Sequence, residues 1–501
     1  MNTNIVQLAA ELGNSMTSKL SKKEQKYFGQ FITPSSIARF MAQRTVVGID
    51  KESIHILEPA AGSGVLVSAL VEALLAKDVP PIMIKITMFE LDVRLHPTLK
   101  MVTSKLRAAC KDKGILLKVS IKHGDFLLSK EAKSQKPFAD VVIANPPYFK
   151  LNANDARAVA HPYALYGQPN IYGIFMAACS GLVKASGKWC FITPRSWTNG
   201  LYFSEVRRYI LSHLSIDSVH VFDSRQDHFN ADEILQETMI TWATKQLPNN
   251  HQMIISSSDG SDDLGIARLH AVAQDTVIEA GDNRVITLHV NPNEAELNNY
   301  GNTLESLGLK VSTGPVVAFR AINFISESSV EGSVPLLWLQ HIKTMSILWP
   351  INKKREHIVA NADNAWMLVP NSPMVVLRRF SPKEDERRVT AAAYTRGLEG
   401  SVIGLENHLN YIYRPGGQML TEEVVGLALY LNSRIVDNYF RAISGSTQVN
   451  ATELRKLPLP SMQEIVNISQ AYTEGMTLQQ IDTIVELALG MHATNLFAVE
   501  A

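Results

Sequence analysis

Between about residues 50 and 245, short apolar runs alternate with helix-length segments. That alternation constrains the fold more than any other feature of the chain. Ile54–Leu57, Ile84–Phe89, Leu117–Ile121, Val141–Ala144 and Lys188–Ile192 read as short, mostly buried strands, and segments such as Val65–Ala76 and Ile171–Val183 read as helices. Strand–helix alternation of this kind builds βαβ units and a mostly parallel, twisted sheet. The chain has 501 residues, and single cores stop growing near about 250–300 residues, so two domains are expected. The stretch Lys245–Gly265, rich in Asn, Gln, Ser, Asp and Gly, reads as a loop or boundary. It divides the chain into an α/β domain at 1–248 and an α+β domain at 249–501.

No window approaches the length of an apolar membrane span, and the first twenty residues show no signal-peptide pattern. Cys110, Cys179 and Cys190 have neither metal-type nor disulfide-type spacing. They read as buried thiols in a reducing compartment, and a cytoplasmic location is expected with no metal. The formal net charge is zero, so phosphate binding would depend on local clusters rather than on a basic whole. Lys22-Lys23, Lys353-Lys354-Arg355, Arg378-Arg379 and Arg387-Arg388 are the candidates.

The run Glu58-Pro59-Ala60-Ala61-Gly62-Ser63-Gly64 follows the first strand and precedes a helix starting near Val65. Glycines at such a turn let the backbone bend sharply and approach a ligand. The spacing is not that of a dinucleotide site, because Val67 stands where the third glycine would be. The second strand ends in Glu90, a carboxylate suited to accepting from both hydroxyls of a ribose. The third leads to Asp125-Phe126, where Asp125 can accept from an adenine amino group and Phe126 can pack on its ring. Three successive strands thus each end in a residue suited to one part of an adenosine ligand. The carboxyl ends of parallel strands are where open α/β sheets bind ligands.

The fourth strand runs into Asn145-Pro146-Pro147-Tyr148. Two consecutive prolines stop the strand and preset the loop. Asn145 offers a side-chain carbonyl and Pro146 a backbone carbonyl, two rigid acceptors for both hydrogens of an exocyclic amine. Tyr148 can stack on the ring that carries it. Such a site turns the lone pair of a weak aromatic amine toward a methyl donor by orientation and electrostatics, with no activated serine, cysteine or metal.

These residues, in this order, resemble the gamma-class DNA adenine-N6 methyltransferases of bacterial type II restriction–modification systems, the PstI-type modification enzymes in particular. The resemblance implies a Rossmann-like domain that binds S-adenosylmethionine, followed by an α+β target-recognition domain. Glu58, Ala60, Gly62 and Gly64 match the cofactor turn, Glu90 the ribose-binding acid, Asp125 and Phe126 the adenine-binding pair, and Asn145, Pro146, Pro147 and Tyr148 the catalytic tetrapeptide. Tyr27–Pro34, with Phe31, Thr33 and Pro34, resembles the segment that closes over the methionine end of the cofactor. Asn170–Phe175 and Phe191–Trp197 resemble segments that support the sheet and target pocket. The family places an aromatic residue opposite the catalytic tyrosine, and Phe229 is the candidate here, with Phe222 second.

Glu406–Pro415 and Ser444–Asn450 resemble parts of recognition domains, the first as a polar and aromatic DNA-facing surface. The implied partner is double-stranded DNA, with the target base flipped out of the duplex. A cognate restriction endonuclease would act on the same site without a stable complex. A monomer is expected, and no segment looks large enough to hold a built-in nuclease. Methylation of RNA or of a protein glutamine uses the same tetrapeptide, and an inactive DNA-binding specificity module is the remaining alternative. The large second domain argues against the former, the intact Glu90, Asp125, Asn145 and Tyr148 against the latter.

Overall fold

The computed structural model describes residues 4–21, 24, 32–222, 238–246, 252–258, 260–261, 264–288, 300–352, 354–381, 385–443 and 448–490. The chain divides into two compact units, Met1–Val290 and Asn291–Ala501.

The first unit is a nine-stranded sheet with helices on both faces. Its strands are β1 (Ser53–Glu58), β2 (Met83–Glu90), β3 (Leu116–His123), β4 (Ala139–Ala144), β5 (Val183–Pro194), β6 (Ser215–Phe222), β7 (Thr238–Thr244), β8 (Gln252–Ser258) and β9 (Arg268–Ala273). Their spatial order is β3-β2-β1-β4-β5-β7-β6-β8-β9. From β3 to β5 every pairing is parallel, while β7 runs antiparallel to both its neighbours. β1 is followed in sequence by β2 on one side and flanked by β4 on the other. The connections diverge there and leave a crevice at the strands' carboxyl ends.

A parallel strand covered on both faces must be apolar throughout, and every residue of β4 is buried. Val141 and Ile143 join a core beneath α1 (Ile5–Thr17), α2 (Ser35–Thr45), α3 (Val65–Leu75) and α4 (His96–Asp112). Val142 and Ala144 join the opposite core, which also holds the short helices α5 (Lys130–Ser134) and α6 (Ala156–Val159) and the longer α7 (Ile171–Leu182) and α8 (Ser204–His213). The three cysteines are buried and unpaired. Among the described residues no helix is long and apolar enough to cross a membrane.

The expected loop at Lys245–Gly265 is corrected. Gln252–Ser258 is strand β8, parallel to β6. Two of its three buried serines are partnered by His220 on β6: Nδ1 lies 3.0 Å from Ser256 Oγ and Nε2 3.0 Å from Ser258 Oγ. Polar composition signals a loop only when the polar groups lack partners in the fold. The division after residue 248 accordingly moves to 290, since β8, β9 and the buried Val277, Ile286 and Leu288 complete the first unit.

The second unit is α+β, as expected. One sheet runs β10-β13-β11-β12, all antiparallel, with β10 Lys310–Thr313, β11 Met374–Arg378, β12 Ala391–Tyr394 and β13 Leu409–Tyr413. A second, five-stranded sheet is built on Ser333–Leu337 and Val402–Leu405. Helices between Thr421 and Ala488 share a core with the first sheet.

The reading of Glu406–Pro415 as a DNA-facing surface is corrected in part. The segment contains β13, an inner strand of the four-stranded sheet, and Glu406, Leu409, Asn410 and Ile412 are buried, while Tyr411, Tyr413 and Arg414 are half-buried. Asn410 accepts from Thr313 Oγ1 at 3.0 Å and donates to the Val449 carbonyl at 2.8 Å. Of the neighbouring Ser444–Asn450, residues 444–447 lie outside the described residues.

Candidate active site

The turn after β1 is shaped by Gly62 (φ 55°) and Gly64 (φ 84°), both left-handed, where a side chain would be strained. Gly64 caps α3. The Ala61 N–H donates to the Phe89 carbonyl at 2.9 Å and the Gly62 N–H to Glu90 Oε2 at 2.7 Å. Glu90 Oε1 accepts from the Asp92 N–H at 2.8 Å. The acid at the end of β2 is therefore tied to the turn at the end of β1. Burial pushes the Glu90 carboxyl up to about 7, against the pull of those N–H groups. Glu58, 1% exposed, is raised well above the usual carboxylate range, first by burial and further by Glu90. Its Oε2 is buried without a hydrogen-bond partner. An orphaned acceptor at a ligand-facing turn is what a cationic or N–H-bearing ligand would satisfy.

A cleft of about 440 Å³, open mouth included, is lined by Ala60, Glu90, Asp125, Phe126, Pro147, Phe149, Arg157 and Phe175 among others. It brings together the ends of β1, β2 and β4 and the turn after β3. Asp125 caps a short turn by accepting from the Leu127 N–H at 2.9 Å, and burial raises its pKa. Phe126 stacks on Phe175 with ring centroids 5.6 Å apart.

At the end of β4, Asn145 is half-buried and Pro146 buried. Asn145 Nδ2 donates to Thr33 Oγ1 at 3.1 Å. The Tyr148 hydroxyl lies 2.6 Å from Asn145 Oδ1 and 3.0 Å from the Ile192 carbonyl on β5. Tyr148 packs edge-on against Tyr172, whose hydroxyl meets Ser196 Oγ at 2.7 Å. Pro147 lines the cleft, so the tetrapeptide borders the adenosine-sized space directly.

Thr33 is buried and Pro34 precedes α2 as its cap. Thr33 contacts the Asn145 amide, a pairing across 112 residues that no local pattern indicates. Phe31 and the rest of 27–31 lie outside the described residues, as do Phe229 and Lys22-Lys23. Phe222 packs on His220 in the core beneath α2 and α3, on the opposite face of the sheet from the core that Tyr148 packs against. The fold therefore does not support it as the aromatic opposite Tyr148. The Ile192 carbonyl, Tyr172 with Ser196, and Arg157 joined the site only through the fold. Ile192, Tyr172 and Ser196 stand within segments that resemble the family and Arg157 in none of them, with nothing local to mark a role.

Residues 77–229 match the Eco57I restriction-modification methylase family. The type II methyltransferase M.BsuBI of Bacillus subtilis is 33% identical over 91% of this chain and 92% of its own length. M.PstI of Providencia stuartii is 30% identical over 96% and 97%. The solved structure of the type IIL restriction-modification enzyme MmeI in complex with DNA shares the fold, with a TM-score of 0.54 at 12% identity over 99% of this chain and 76% of that one. With near-complete coverage of two such relatives, the chain belongs to the type II DNA methyltransferases of restriction–modification systems.

Proposed function

We propose that the protein transfers a methyl group from S-adenosylmethionine to the N6 amine of adenine in a short duplex DNA sequence. One observation carries this reading: Asn145 is held from both sides, by Thr33 at Nδ2 and Tyr148 at Oδ1, two residues before Pro147, which lines the cleft at the strand ends. An amide fixed that way presents its carbonyl in one orientation, which suits acceptance of an amine proton rather than nucleophilic attack.

The residues present fit the cofactor. Glu90 and Asp125 both line the cleft, where the first would accept from the ribose hydroxyls and the second from the adenine amine. S-adenosylmethionine supplies an electrophilic methyl group when bound. Asn145 Oδ1 keeps a second lone pair beside the one used by Tyr148, and the Pro146 carbonyl supplies the other acceptor. Together they draw both N6 hydrogens and favour a lone pair directed out of the ring plane. The amine loses one of those protons after transfer. The Tyr148 ring stacks on the base. Adenine reaches such a site only after leaving the duplex, at a cost of a few kcal/mol.

The first unit would hold the catalytic site and the second recognise the target. Cognate DNA would be protected from an endonuclease of the same specificity, and the protein would act as a monomer. The test is transfer of tritiated methyl from S-adenosylmethionine to duplex DNA, RNA and protein in parallel, with N6-methyladenine mapped in the DNA. Label confined to RNA, protein or cytosine overturns the reading. Asn145→Ala is expected to abolish transfer while S-adenosylhomocysteine still binds.

A further inference from the structure

The segment after the catalytic tetrapeptide returns to the cofactor cleft through one cation. On α6, Arg157 donates to Asp155 from Nε at 2.8 Å and from Nη2 at 2.7 Å. Its Nη1 lies 3.9 Å from Asp125 Oδ2. The guanidinium sits 5.6 Å from the Phe149 ring centroid, and Arg157 lines the cleft with Asp125. Its side chain is largely buried. A cation shared between a capping aspartate and a cleft aspartate does not serve α6 alone, because Asp155 by itself already provides the cap.

We propose that Arg157 is a positioning residue that keeps Asp125 ionised and aimed at the adenine amine of the cofactor. The inference rests on the cofactor reading above. Asp125 stands in a desolvated wall that disfavours its charge, and Arg157 is the nearby cation that opposes this. The other charged or titratable groups around it are Asp155 on α6, which acts in the opposite sense, His161 beyond α6, and Glu90 across the cleft. His161 is buried and held by the Leu127 carbonyl and Tyr163 hydroxyl, with its pKa lowered chiefly by burial. A protonated Asp125 loses its charge-assisted acceptance of the amine. Without Arg157 that protonation moves to higher pH.

The experiment is calorimetric titration of S-adenosylhomocysteine into full-length wild type, Arg157→Met, Arg157→Gln and Arg157→Lys between about pH 5.5 and 8.5. Glu90 titrates in all of them, so the readout is the ratio of variant to wild-type affinity at each pH. We expect the Met and Gln variants to approach wild type at high pH and to fall about tenfold behind it at low pH. Lys should restore much of the difference. In an Asp125→Asn background the ratio should be flat. A ratio independent of pH in the Met and Gln variants overturns the role of Arg157 alone. Failure of wild type to bind S-adenosylhomocysteine overturns the cofactor reading and this inference with it.

Discussion

The Tyr148 hydroxyl lies within hydrogen-bonding distance of both Asn145 Oδ1, at 2.6 Å, and the Ile192 carbonyl, at 3.0 Å. A phenol has one proton, so it can fully satisfy only one of these acceptors at a time. The hydroxyl is thus a latch from the loop after β4 to Asn145 or to β5, and in the proposed mechanism its ring stacks on the target base. Tyr148→Phe keeps the ring and removes the latch. Loss of one hydrogen bond of ordinary worth predicts single-turnover methylation slower by roughly three- to tenfold. Tyr148→Ala also loses stacking worth about 1–3 kcal/mol and should fall well below Phe. Equal rates for Phe and Ala would remove stacking from the mechanism.

Thr33 also restrains Asn145. Thr33→Val preserves shape and deletes the acceptor for Nδ2. The amide is then held less firmly, and the turnover number should drop about tenfold while S-adenosylhomocysteine affinity changes less, as expected for lost orientation. Thr33→Ser should recover most of the rate. A loss confined to cofactor affinity would assign Thr33 to cofactor binding instead.

Glu90 gives a pH dependence with a definite sign. Its carboxyl is held near 7, above its ordinary value of 4.5, mainly by burial. Between those values folding takes up a proton, so this group's contribution to stability falls as pH rises through the window. Cofactor binding runs the other way, because in the proposed mode the carboxylate accepts hydrogen bonds from the ribose hydroxyls. Affinity for S-adenosylhomocysteine should rise about tenfold from pH 6 to 8, following the ionised fraction. Glu90→Gln should bind weakly and lack this rise. Calorimetry across that range checks both, and an unchanged rise in Glu90→Gln would assign the titration elsewhere.

The basic clusters of the second unit separate into two roles. Lys354 is 83% exposed, on a loop braced by the Trp338 indole N–H to the Arg355 carbonyl, the Trp349 indole N–H to the Glu356 carbonyl, and the Ile351 N–H to the Glu356 carboxylate. Arg355 is exposed on the same loop, and Lys353 lies outside the described residues. Arg387, 12% exposed, is instead ion-paired to Asp482, which also accepts the Arg434 N–H. Arg378 is tied to Asp385 and the Ile342 carbonyl, and Arg388 is buried. Lys354→Ala with Arg355→Ala should weaken duplex binding and reduce the salt slope by nearly two. Arg387→Ala should cost about 3 kcal/mol of stability by stranding Asp482. Fluorescence anisotropy over a salt series and denaturant melts distinguish them. The reverse pattern would place Arg387 against DNA.

Legibility followed the range of the interaction. Strands β1, β2 and β4 were readable because strands largely buried on both faces demand apolar runs, and the tetrapeptide because two prolines constrain their own backbone. Strand β8 was not, since its buried Ser256 and Ser258 are partnered by His220, from 36 to 38 residues earlier. The Arg387 pair was hidden for the same reason, with its partner 95 residues away. Asn410 looked like a surface residue until Thr313 and the Val449 carbonyl supplied its bonds.

The sequence by itself determined the α/β plan, the strand-end positions of Glu90, Asp125 and Asn145, and the stiffness of the loop that follows. Those depend on side-chain periodicity and on backbone restrictions that act over a few residues. Only the tertiary structure decided that Thr33 and Tyr148 grip Asn145 from opposite sides, that Arg157 faces Asp125, and which arginines are sealed into ion pairs. A buried polar group is defined by the partner that satisfies it, and folding brings that partner from a distant part of the chain.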